Sequence, residues 1–95
     1  MDGEREGQAQ VRESDGVILL QHALALSEAD VTEVLSGWRL GESLGFSAQE
    51  TRALVDHLVQ AGYLRYAGEG FLVTITAEGI TRVDRRRVRS TVGQG

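Results

Sequence analysis

The stretch Ser47-Ala-Gln-Glu50 and the run that follows it constrain this chain more than any other segment. A serine three residues ahead of a glutamate makes a capping box. The serine oxygen takes the amide of residue 50, and the glutamate side chain returns to the serine amide. The helix opened there is expected to run to Ala61 and to stop at Gly62. Leu54 and Leu58, four apart, define its buried stripe, flanked by Thr51 and Val55. Gln49, Arg52, Ala53, Asp56 and Gln60 fall on the opposite, wetter face.

The segments on either side are read from that helix. Ser14 or Asp15 caps a first helix through about Leu26. At helical spacing Val17, Leu19, Leu20, Ala23, Leu24 and Leu26 cover one broad side, with Ile18, Gln21, His22 and Ala25 on the other. Ile18 is then a large apolar group on the wetter face, covered either by another part of the domain or by a dimer partner. Residues 27–37 are a connection in which Val31, Val34 and Leu35 make a short extended piece. A second, short helix is expected from Trp38 to Leu44. Gly41 weakens that helix, so its role is close approach to another helix. Gly45 suits the left-handed position that ends it. Downstream, residues 63–66 and 71–76 flank Ala-Gly-Glu-Gly as a hairpin. Alternation puts Phe71, Val73 and Ile75 on one face and Leu72 and Thr74 on the other. Thr76 caps a last helix in which Ile80 and Val83 pack inward.

Charge is distributed unevenly. Residues 1–15 carry five acids and two arginines, residues 16–81 eight acids and three arginines, and residues 82–95 one acid and five arginines. The chain is therefore an acidic body with a basic end, and its ten basic residues are all arginine. Residues 1–13 read as a disordered acidic leader, 14–88 as one domain and 89–95 as a flexible tail. The polar N-terminus is not a signal peptide. The longest apolar-rich run, VILLQHALAL, is too short to span a bilayer. The absence of cysteine rules out disulfides and thiolate metal sites, and fits a reducing cytoplasm.

Helix, short helix, capped helix, glycine, hairpin, helix is an order seen in one fold family. The segment LGESLGFSAQETRALVDHLVQAGYLRY and the later VTITAEGI resemble small prokaryotic winged helix-turn-helix domains, over about residues 16–85. The resemblance implies a mostly α, α+β fold with a three-helix core, a β-hairpin wing and a C-terminal helix. It implies that helix 47–61 enters a DNA major groove and that the 67–70 turn is the wing tip. It also implies a dimer acting in transcriptional control in the cytoplasm. Carried onto this chain, Gln49, Arg52 and Gln60 face bases, Arg39 and Arg65 face phosphates, and Ser47 joins them in the DNA-binding set. The arginines of the end, Arg82, Arg85, Arg86, Arg87 and Arg89, then form a phosphate-binding arm. Two other readings of that end stand beside the arm. Cations offset the macrodipole at a helix C-terminus, or they pair with the acidic body of the same or a partner chain. Asp56 and Glu69 depart from the pattern of a basic DNA-reading surface, because affinity comes largely from phosphate neutralisation. An acidic module of this kind also serves as a protein-interaction or dimerisation domain, with Ile18 and His22 as interface candidates.

No enzyme is expected. His22 and His57 lie on different helices and outside any metal-spaced cluster. Asp56 and His57 are adjacent on a helix and point about 100° apart, which does not make a relay. Gly-rich AGEGF lacks the lysine and length of a phosphate-binding loop. No cofactor, metal or membrane partner is implied.

Overall fold

Every turn of this structure, a computed structural model describing residues 13–84, is set by a cap, a glycine or a left-handed residue. Helix α1, Glu13–Ser27, is followed by strand β1, Leu35–Ser36, and helix α2, Gly37–Ser43. Helix α3, Ala48–Gln60, leads into β2, Leu64–Tyr66, and β3, Leu72–Ile75. A last helix, α4, occupies residues 77–84. The described residues thus form a mixed α+β domain of four helices and one three-stranded antiparallel sheet, ordered β1-β3-β2.

The capping box at Ser47 is present in full. Glu50 N donates to Ser47 Oγ at 3.1 Å, and Ser47 N donates to Glu50 Oε1 at 2.8 Å. The helix ends as the sequence requires, with Ala61 as C-cap and Gly62 at φ +89°. Thr51, Leu54, Val55 and Leu58 are its buried residues. The turn before it depends on Gly41. A Cβ there would overlap the buried Thr51 side chain, so α2 and α3 cross at a distance only glycine allows. Gly45, at φ +83°, then reverses the chain into the cap.

The core gathers Leu19, Leu20, Ala23 and Leu24 of α1, Leu40 of α2 and the α3 stripe. Leu64, Val73 and Ile75 of the sheet and Val83 of α4 complete it. Fully burying each large aliphatic side chain stabilises the fold by roughly 1.5–3 kcal/mol. Thr76 ties the far end together. Its Oγ1 donates to Gly62 O at 2.6 Å and accepts from Gly79 N at 3.0 Å, linking the stop of α3 to the cap of α4.

Three expectations need correction. Leu26 is not part of the inner face of α1; it is 52% exposed. At about 100° per residue it falls just past the arc spanned by Val17, Leu19, Leu20, Ala23 and Leu24. The helix ends one residue later at Ser27, whose helical position between Ala23 and Leu20 turns it inward, before Glu28 and Ala29 reverse the chain at positive φ. Val31 and Val34 are exposed and form no strand; only Leu35 and Ser36 join the sheet, opposite Val73 and Leu72. Phe71 precedes β3 rather than belonging to it, because its φ of +60° is incompatible with extended backbone. The leader over residues 1–12 and the tail over residues 89–95 lie outside the described residues.

Candidate nucleic-acid interface

The outer face of α3 is uncovered by the rest of the domain. Gln49, Arg52, Asp56 and Gln60 are exposed, and Ala53 is half-buried. Two of these side chains are already engaged with each other. Gln60 Nε2 donates to Asp56 Oδ2 at 3.1 Å, one helical turn back. The other carboxylate oxygen, Oδ1, accepts from the Tyr66 hydroxyl at 3.4 Å. Ser47 is likewise committed, its Oγ being the cap acceptor. Of the residues expected to read bases, Gln49 and Arg52 are therefore the ones whose side chains make no hydrogen bond of this kind.

Tyr66 was not anticipated as part of this surface. It closes β2 opposite Val73, on the same strand face as buried Leu64, and reaches over the side of α3. Burial raises its phenol pKa above the ordinary value of 10.0. The charge of Asp56 and its hydrogen bond add to the rise, and the Arg52 guanidinium opposes it. An aromatic residue placed just before the glycine-rich turn is the signal that marks it.

Behind Tyr66 stand two further rings. Phe71 lies 6.2 Å from Tyr66 and 4.2 Å from Trp38, centroid to centroid, with tilted planes. Phe71 is held in a left-handed conformation that costs a non-glycine residue energy. Gly37 holds it there. Gly37 N donates to Phe71 O at 2.8 Å, and a Cβ on residue 37 would meet the Phe71 ring at 2.6 Å. The result is a ledge in which Trp38 and Tyr66 remain 41% and 40% exposed.

The three arginines of residues 16–81 are Arg39, Arg52 and Arg65, and all are exposed. Arg39 follows Trp38 at the start of α2, Arg65 precedes Tyr66 on β2, and Arg52 acts on the Tyr66 phenol. Arg65 pairs with Thr74 in the ladder, so strand alternation directs it to the opposite face from Tyr66. Glu69 sits in the exposed turn between Gly68 and Gly70, both at positive φ.

The remaining expected residues lie elsewhere. Arg82 is half-buried on α4 and, with Val17, Leu20, His57, Leu58 and Tyr63, lines a cavity of about 360 Å³. Arg85, Arg86, Arg87 and Arg89 lie outside the described residues. Ile18 is 43% exposed on the outer side of α1, beside Gln21, Ala25 and Leu26. His22 shares that side, but its Nε2 is shielded from solvent and meets no hydrogen-bond partner among the described residues. Among the described residues no group of three or more His, Cys, Asp or Glu side chains is arranged to hold a metal ion. No described helix is long and apolar enough to cross a membrane.

No protein-family model, curated protein or solved structure matches this chain.

Proposed function

We propose that this chain is a winged-helix DNA-binding module, a cytoplasmic regulator in which α3 enters the major groove and the 67–70 turn acts as the wing. The observation that carries this reading is the clustering of charge. The three arginines of an otherwise acidic body are all exposed: Arg52 on the uncovered face of α3 beside Tyr66, Arg39 next to Trp38 of the same aromatic row, and Arg65 on the other face of β2. Gln49 and Arg52 supply the donors for base edges. Arg39 and Arg65 contact phosphates, and the arginine-rich end adds the charge that the body lacks. Asp56 opposes binding, and its engagement by Tyr66 and Gln60 keeps the carboxylate turned along the protein surface.

The test is fluorescence anisotropy of labelled duplex DNA at low and moderate salt, with the full chain and with a version ending at Val83. Affinity falls as salt rises, and truncation lowers it further. Arg52→Ala weakens binding by about tenfold and relaxes discrimination between sequences, whereas Arg39→Ala flattens the salt dependence by roughly one unit of slope. No binding at low salt would remove the reading.

A second surface favours a protein contact. Residues 16–27 carry no charge, and the outer stripe of α1 exposes Ile18, Ala25 and Leu26. An exposed apolar stripe on a helix marks a contact surface. We assign this stripe to pairing with a second copy of the chain, which places two α3 helices in one complex. If the DNA test fails, the same stripe supports a protein-interaction module without DNA.

A further inference from the structure

A feature of the surface goes beyond duplex recognition. Duplex binding through a groove needs donors and cations, not stacked rings, because base faces are covered inside a duplex. Trp38 nevertheless presents a large exposed surface while its ring is backed by Phe71 at 4.2 Å. That backing is built at a cost. Phe71 adopts φ +60°, and Gly37 leaves the only space in which its ring and carbonyl fit. An observed strained residue beneath an exposed ring points to a role for that ring. Arg39 is next in sequence to Trp38, and Arg52 acts on the Tyr66 phenol, so two of the body's three arginines adjoin the aromatic row. Aromatic faces flanked by cations are the chemistry of single-stranded nucleic acid, in which every base exposes a π-face and every nucleotide a phosphate.

We propose that the Trp38–Phe71 ledge stacks on an unpaired base, so that the domain prefers duplex DNA with a single-stranded extension to continuous duplex. The proposal rests on the DNA-binding reading and narrows its substrate. Phe71 serves as the floor, Trp38 as the stacking face, and Arg39 as a phosphate contact for the strand leaving the duplex. Tyr66, hydrogen-bonded to Asp56, fixes the ledge against the side of α3.

Trp38 is the single tryptophan of the chain, so its emission reports stacking directly. The full chain is titrated with a blunt duplex, with the same duplex bearing a single-stranded thymidine overhang, and with the overhang strand alone. The expected result is quenching of tryptophan emission by the overhang substrate and affinity for it about tenfold above that for the blunt duplex. Trp38→Ala should bring overhang affinity down to the blunt-duplex level and leave the blunt-duplex affinity unchanged, with Trp38→Phe intermediate. Thermal melting confirms that both variants fold, and quenching of the unmodified chain tests the idea without any variant. Equal affinity for blunt and overhang substrates with unchanged emission overturns the ledge and leaves duplex binding standing. Binding to none of the three removes the DNA-binding reading and this inference with it.

Discussion

Helices α1 and α3 contribute almost the same kind of inner face and entirely different outer ones. Each buries a stripe of branched aliphatic side chains against the same core: Leu19, Leu20 and Leu24 from one, Leu54, Val55 and Leu58 from the other. Outside, α3 carries Gln49, Arg52, Asp56 and Gln60, whereas α1 shows Ile18, Ala25 and Leu26 with no charge between residues 16 and 27. The inner faces account for the fold, so differences outside are free to record function. A polar outer face is what solvent or a charged ligand requires, and an apolar one is what a second protein surface requires.

The largest effects should come from breaking the part the two helices share. Leu20→Ala and Leu54→Ala each remove a buried side chain and should each cost about 2–5 kcal/mol, read from denaturant unfolding. Similar losses would support one common core; a much smaller loss for Leu20→Ala would mean that α1 is held mainly by its outer face. Next is Gly41→Ala. Its new methyl group overlaps the Thr51 side chain, and the strain should cost about 1–3 kcal/mol in the same measurement. A neutral result would show that α2 and α3 slide apart easily.

The outer faces are separated by charge. Ile18→Glu and Leu26→Glu together should shift the chain to a monomer in analytical ultracentrifugation while leaving its melting behaviour almost unchanged, since both positions are exposed. A chain that is monomeric before the substitution, at micromolar concentration, would refute pairing through α1.

The smallest effect concerns Tyr66. The folded phenol holds its proton more tightly than the unfolded one, whose value is near 10.0. Its contribution to stability is therefore fully present below that value and is lost as pH rises through the raised folded value. Stability of the native chain should fall more steeply above pH 10 than that of Tyr66→Phe, which lacks both the ionisation and the hydrogen bond to Asp56. Identical profiles would mean that the contact contributes nothing.

Local chemistry made much of this fold legible in the chain itself. The capping box at Ser47, the stops at Gly45 and Gly62, the stripe of Thr51, Leu54, Val55 and Leu58 and the Thr76 cap depend on residues a few positions apart. Spacing alone specifies them, because the partners are brought together by the helix or turn that they define. Gly41 is an intermediate case. Its helix-weakening cost signalled a close approach, but only the fold identified Thr51 as the neighbour.

What the tertiary structure decided are the contacts between distant segments. Leu26 lies just past the inner arc of α1, and only the packing of the other elements fixed where that arc ends. The candidate site changed most. Trp38, Tyr66 and Phe71 come from α2, β2 and the turn before β3, and Tyr66 meets Asp56 ten positions upstream across the side of α3. Their ledge exists only because Gly37 and a left-handed Phe71 fit together, and periodicity carries no information about such a meeting. By itself the sequence determined where helices begin and end and which faces turn inward, because those follow from neighbours along the chain. Which exposed side chains stand together on one surface was decided by packing, because it depends on residues the chain keeps far apart until it folds.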